Sequence, residues 1–343
     1  MNTNNMKTPR NQAIECCRMA ASIAVVFIHI LFPGTLGSGV HCLARVAVPF
    51  FFVISGYFAL GLPPRKFLSR FTDIAKIYLG AIGLYLAWGA VRTGILESEP
   101  ILPWLSGIFT LPHLMEGLVF HYDHIGGGHL WYLIAMMACY LVMYAYARWG
   151  KADHRPLYIL GGCLLAVQII LNSVCIAVGH PVSNLLYRNG WVLGLPLFLL
   201  GMFLREHQQT LTEKFRLTNG KLVCLFLIGA VLSMAQWVIY GEIELPVGAI
   251  AEVFALVLLA SRLPVLVPIG SRAERCIARF GSLSTFVYVT HLLWGDVYML
   301  WIHPVLRPAL GMGEVYLRPI FVVILTLTAG ILWDAASTAL KRK

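Results

Sequence analysis

The chain has 343 residues, of which 59% are hydrophobic and 12% charged, and no water-soluble globule hides that much apolar surface. The formal charge of +10 would suit a nucleic-acid partner. The Lys and Arg, however, stand in short runs between apolar segments, as orientation signals do, so no nucleic-acid partner is expected and the lipid bilayer is.

The first apolar stretch, about residues 13 to 32, follows Lys7 and Arg10. It carries Arg18 and His29 and lacks a small-residue cleavage site, and so reads as a retained helix rather than a signal peptide. Further stretches able to span lie at about 42 to 61, 73 to 92, 128 to 147, 157 to 178, 189 to 204, 221 to 240, 245 to 262, 281 to 302 and 319 to 339, each near the roughly 20 residues that a crossing needs. The expected fold is an all-α integral membrane protein, a bundle of about ten transmembrane helices with both termini cytoplasmic. Residues 13–340 form the membrane domain, between a cytoplasmic N-terminal segment 1–12 and a basic tail 341–343.

Charge supports this topology. With the N-terminus inside, cytoplasmic positions collect 20 of the 26 Lys and Arg, among them Lys7, Arg10, Arg70, Lys151, Arg205, Arg262, Lys341, Arg342 and Lys343. Outer positions receive only Arg92, Arg188, Arg307 and Arg318, while Arg18 and Arg45 fall within spans. The expected location is the cytoplasmic membrane, crossed many times.

The longest connection, about residues 93 to 127, is expected outside, with room for a short surface helix. It leads into the fourth span through Gly126-Gly127-Gly128, which gives the chain freedom to turn sharply. His113, His121, His124 and His129 lack the regular pairing of zinc ligands, and the eight Cys show no CxxC spacing. Neither a metal, a bound cofactor nor a disulfide framework is therefore expected.

Ionisable groups inside a membrane cost about 2.5 to 3.5 kcal/mol at mid-span and so face a cavity or a partner. Arg18 and His29 are 11 residues apart, which on a helix is three turns plus about 20° and a rise of about 16 Å. One helix face carries both. A guanidinium can hold a phosphate or carboxylate, and a neutral imidazole can take a proton from an attacking hydroxyl. The plainer alternatives are an Arg18 that reaches the headgroups or pairs with Glu15 one turn earlier, and a His29 that ends the helix.

Ile14-Glu15-Cys16-Cys17-Arg18-Met19-Ala20-Ala21, with Val25 and His29, resembles the first-helix pattern I-E-x-x-R-x-x-A-x-x-x-V-x-x-x-H of the membrane acyltransferases called acyltransferase 3. Phe51-Phe52-Val53-Ile54-Ser55-Gly56-Tyr57 is similar to that family's F-F-x-x-S-G-[FY], His129-Leu130-Trp131-Tyr132-Leu133 to its H-L-W-[FY]-L, and Tyr288-Val289-Thr290-His291 to its Y-x-x-H. The four stand in family order over essentially the whole chain. The resemblance implies transfer of an acyl group, often acetyl, from cytoplasmic acyl-CoA to a hydroxyl of a sugar or other cell-envelope acceptor, with His29 catalytic and Arg18 its companion near the donor. It lifts Glu15, Ser55, Tyr57, Trp131 and His291 as further substrate or acyl-CoA contacts.

Arg45 precedes Pro49 by four residues, where the proline frees a backbone carbonyl, and could hold an anionic acceptor or reach outward to the interface. His291 lies near mid-span, where it either packs in the core or closes a site opposite His29. Glu252 and Asp334, also in spans, are candidates to pair with cations or carry protons. The stretch from Arg45 to Tyr57 also resembles the membrane half of the serine racemases of vancomycin-resistance clusters. That likeness opens an alternative reading, a transporter of a small molecule such as serine.

Overall fold

A computed structural model describes residues 11–149 and 153–340. Residues 1–10, 150–152 and 341–343 lie outside the described residues, and with them Lys7, Arg10, Lys151, Lys341, Arg342 and Lys343 of the charge argument. Among the described residues the chain is helical and contains no strand. In order the helices are α1 (Gln12–His29), α2 (Gly34–Tyr57), α3 (Pro64–Leu96), α4 (Ile101–Ile108), α5 (Leu111–Phe120), α6 (Trp131–Trp149), α7 (Arg155–Ala177), α8 (Asn184–Lys214), α9 (Asn219–Tyr240), α10 (Val247–Arg262), α11 (Arg272–Leu310) and α12 (Gly313–Leu340).

Eight of them are long and apolar enough to cross a membrane. Each of the ten apolar stretches read from sequence falls on a helix. The two outside the eight are α6, rich in Tyr and Trp, and α10, only 16 residues long. Both stand inside the bundle, α6 along α3 and α10 along α9. The long connection folds into two short helices, α4 and α5, where one was expected.

Local chemistry sets the boundaries. The Asn11 side chain accepts from the Ile14 amide at 3.0 Å and caps α1, and Thr218 and Ser271 do the same for α9 and α11. Inside α2 the chain turns at Arg45 and Val46, because Pro49 brings no amide hydrogen for the Arg45 carbonyl and its ring crowds that carbonyl. Gly127 and Gly128 take φ of 76° and 83°, a left-handed conformation that a side chain would strain, and deliver the chain from the connection into α6.

The core is apolar, with Phe50, Phe52, Val53, Leu197 and Phe198 buried where α2 crosses α8. That crossing is backbone on backbone. A Cβ on Gly56 would lie 1.8 Å from the Phe198 carbonyl oxygen, and one on Gly201 would lie 1.9 Å from that of Val53, so only glycine lets the helices meet. Leu227, Ile228, Val231, Leu232, Val238 and Ile239 of α9 point outward, as expected of a surface solvated by lipid.

Polar contacts sort the two ends of the bundle. At one end Gln12 binds the Leu266 and Val267 backbone, and Arg262 donates to the Leu217 carbonyl at 2.7 Å. At the other Arg45 binds Glu242 and Glu244, and the Leu245 amide donates to Asn172 at 2.9 Å. Asp334 pairs with Arg279 at 3.1 Å, whereas the buried Glu252 accepts the Ser233 hydroxyl at 2.6 Å.

Candidate active site

Three imidazoles meet inside the bundle. His29 is the last residue of α1, His129 closes the glycine-rich lead into α6, and His291 sits midway along α11. The ring centroids of His29 and His291 are 5.1 Å apart, those of His129 and His291 4.9 Å, and those of His29 and His129 6.1 Å. His291 therefore faces His29, the second of the two arrangements open from sequence.

The three rings are held differently. His291 is buried, with Nδ1 2.8 Å from the Tyr288 carbonyl oxygen. The proton belongs on Nδ1, and Nε2 meets no protein partner among the described residues. His129 has carbonyl oxygens at both nitrogens, Gly126 at Nδ1 and Val289 at Nε2, 3.1 Å away. Its own carbonyl accepts the Tyr288 hydroxyl, so it serves as a fixed strut. Neither interaction restrains His29, which lines open space.

That space consists of three voids along the bundle. The first, of about 250 Å³, is lined by Arg18, Arg70, Ser55, Tyr132, Ser284 and Tyr288. The second is a neck of about 20 Å³ among His29, Arg45, His129, Trp131, Tyr132, Arg188 and Tyr288. The third, of about 720 Å³, is lined by His29, Tyr85, Trp88, Arg92, Trp104 and Asp296. Tyr132 and Tyr288 border the first two voids, with ring centroids 5.4 Å apart, and His29 borders the last two. Arg18 thus borders the first void and His29 the second and third, and the small void, the neck, shares walls with both larger ones.

The predicted contacts divide. Arg18 stands 3.6 Å from Glu15, and its side chain is 38% exposed toward the first cavity. Glu15 lines none of these voids. It packs on α11 so closely that a Cβ on Gly281 would lie 2.0 Å from its Oε2. Ser55 lines the first cavity, while Tyr57 lies away from it, donating to Gln208 at 2.7 Å beneath the Arg205 guanidinium. Trp131 borders the neck under Arg188, whose guanidinium carbon is 5.4 Å from its ring.

Arg45 also borders the neck, but its guanidinium is taken up by Glu242 and, at 2.8 Å, by Glu244. Glu244 lies in the connection between α9 and α10. Burial pushes its carboxyl up, but Arg45 and Arg188 outweigh that and hold it below the usual carboxylate range.

Sequence reasoning missed His129 and Arg70. The first stands beside Gly126-Gly127-Gly128, a stretch that reads as loop, although it also begins the H-L-W segment. The second reads from the sequence only as an orientation charge. Among the described residues no group of three or more His, Cys, Asp and Glu could hold a metal ion, the histidine cluster included.

Neither a curated protein nor a solved structure matches the chain. The family profile Acyl_transf_3, described as an acyltransferase domain, matches it over residues 11–335. The apolar helices, the inward-facing histidines and this match over nearly the whole length converge, and the chain belongs to the acyltransferase 3 family as a multi-pass membrane acyltransferase.

Proposed function

We propose that the protein moves an acyl group from cytoplasmic acyl-CoA to a hydroxyl of a carbohydrate or other cell-envelope acceptor, with both termini and the Arg18 cavity on the cytoplasmic side of the cytoplasmic membrane. What supports this reading is the position of His29 between the neck and the large cavity, with Arg18 and Arg70 beyond the neck. The two guanidinia suit a phosphate of the donor. The first cavity is too small for a whole coenzyme, so the pantetheine arm enters it and the nucleotide stays outside.

The acceptor hydroxyl reaches His29 from the large cavity, where Trp88 and Trp104 offer aromatic faces and Asp296 a hydrogen-bond acceptor. His29 takes the hydroxyl proton as the oxygen attacks the thioester carbonyl. The carbon–sulfur bond then breaks, the thiolate recovers the proton from the imidazolium, and an ester and free CoA remain. His291, with its ring centroid 5.1 Å from that of His29, packs against the ring that does this work. The closed neck keeps bulk water from the thioester.

Binding of radiolabelled acetyl-CoA to the purified protein in nanodiscs tests the donor side. Saturable binding that Arg18→Ala weakens at least 10-fold is expected; unchanged binding in that variant would contradict the assigned donor site. Serine accumulation in proteoliposomes without thioester turnover would support the transport reading instead.

A further inference from the structure

If the protein transfers an acyl group from CoA, as proposed above, that group must pass the neck, which Tyr132 and Tyr288 wall side by side, to reach His29. We infer that these two tyrosines set the size of the transferable group, admitting acetyl and rejecting chains of four carbons or more.

The dimensions carry the inference. The cavities on either side have about 250 and 720 Å³, and the neck between them about 20 Å³. A void of roughly 10 to 15 Å³ holds one water, so the neck as it stands takes one or two heavy atoms, and every carbon beyond an acetyl group adds to what its walls must yield. Selection therefore falls at the neck, whatever either cavity accepts.

The walls are tied so that they resist widening. The Tyr288 hydroxyl donates to the His129 carbonyl, the His129 ring bridges Gly126 and Val289, and the Tyr85 hydroxyl donates to the same Val289 carbonyl at 2.9 Å. The Tyr132 ring stands edge-on to Phe52, with centroids 4.8 Å apart. On another side Arg45 and Arg188 are ion-paired with Glu244. A longer acyl chain would have to break buried hydrogen bonds or displace packed rings, and close-packed interiors respond to a single added methylene.

The test supplies radiolabelled acetyl-, propionyl- and butyryl-CoA to inside-out vesicles carrying the protein and follows label into envelope material, with His29→Ala vesicles as background. One methylene discriminates by about 10-fold or more, so kcat/KM is expected to fall about 100-fold from acetyl to butyryl. Tyr132→Leu, and separately Val48→Ala, which trims another wall of the neck, should raise the butyryl-to-acetyl ratio at least 10-fold, whereas Tyr132→Phe should leave it near wild type. Butyryl transfer within threefold of acetyl by the wild type overturns the inference, as does an unchanged ratio in both enlarging variants. No turnover of any acyl-CoA by the wild type would instead strike the acyltransfer reading itself.

Discussion

At position 29 an imidazole ends a helix and opens on a cavity, with two further imidazoles behind it. A general base contributes about 10² to 10⁴ in rate, so His29→Ala should lower acyl transfer by at least 100-fold while thermal stability in detergent changes little, since the ring borders open space. A rate within 10-fold of wild type would remove His29 from the chemistry. His291→Ala carries a different expectation. Its side chain is buried, so the variant should lose both activity and melting temperature, and retained activity would make the ring a packing residue only. Arg18 and His29 were legible in the sequence because helical periodicity alone puts them on one face. His129 was not, because a glycine-rich neighbourhood reads as solvated loop until the fold brings Gly126 and Val289 to its two nitrogens. Tyr57 carries the motif, yet its hydroxyl is taken by Gln208 and Arg205, contacts that sequence spacing does not reveal, and Glu15 pairs through one oxygen with Arg18 and packs on α11 instead of lining a void.

Among the elements, the crossing of α2 and α8 positions Ser55 at the first cavity and carries Arg45 to the neck. Because a Cβ on Gly56 would stand 1.8 Å from a carbonyl oxygen, Gly56→Ala must push the helices apart. Overpacking of this kind costs about 1 to 3 kcal/mol or more. The expected result is a clearly lowered melting temperature in detergent, with Ser55→Ala nearly unaffected; equal stability of the two variants would show that the crossing tolerates a methyl group. The helices themselves were legible from apolar length, and their ends moved by several residues because caps such as Thr218 and Ser271 lie outside the apolar runs. The pairing of α4 and α5 was not legible, since a connection rich in His and Glu shows no span-length apolar run.

For the whole molecule, under the proposed reading the three voids form a route across the membrane, with its direction set by the charge asymmetry of the connections. A protease site placed at Glu99 should be cut in right-side-out spheroplasts and protected in inside-out vesicles, and one placed at Gly270 should behave in the opposite way. The reverse pattern would invert the topology. What the route carries is tested most directly in sealed inside-out vesicles given labelled acetyl-CoA from the cytoplasmic side. Label should appear as base-labile ester in material on the lumenal side for the wild type, fall at least 100-fold with His29→Ala, and be accompanied by equimolar CoA thiol. Lumenal label unaffected by His29→Ala, or CoA release without ester, would contradict transfer through this site.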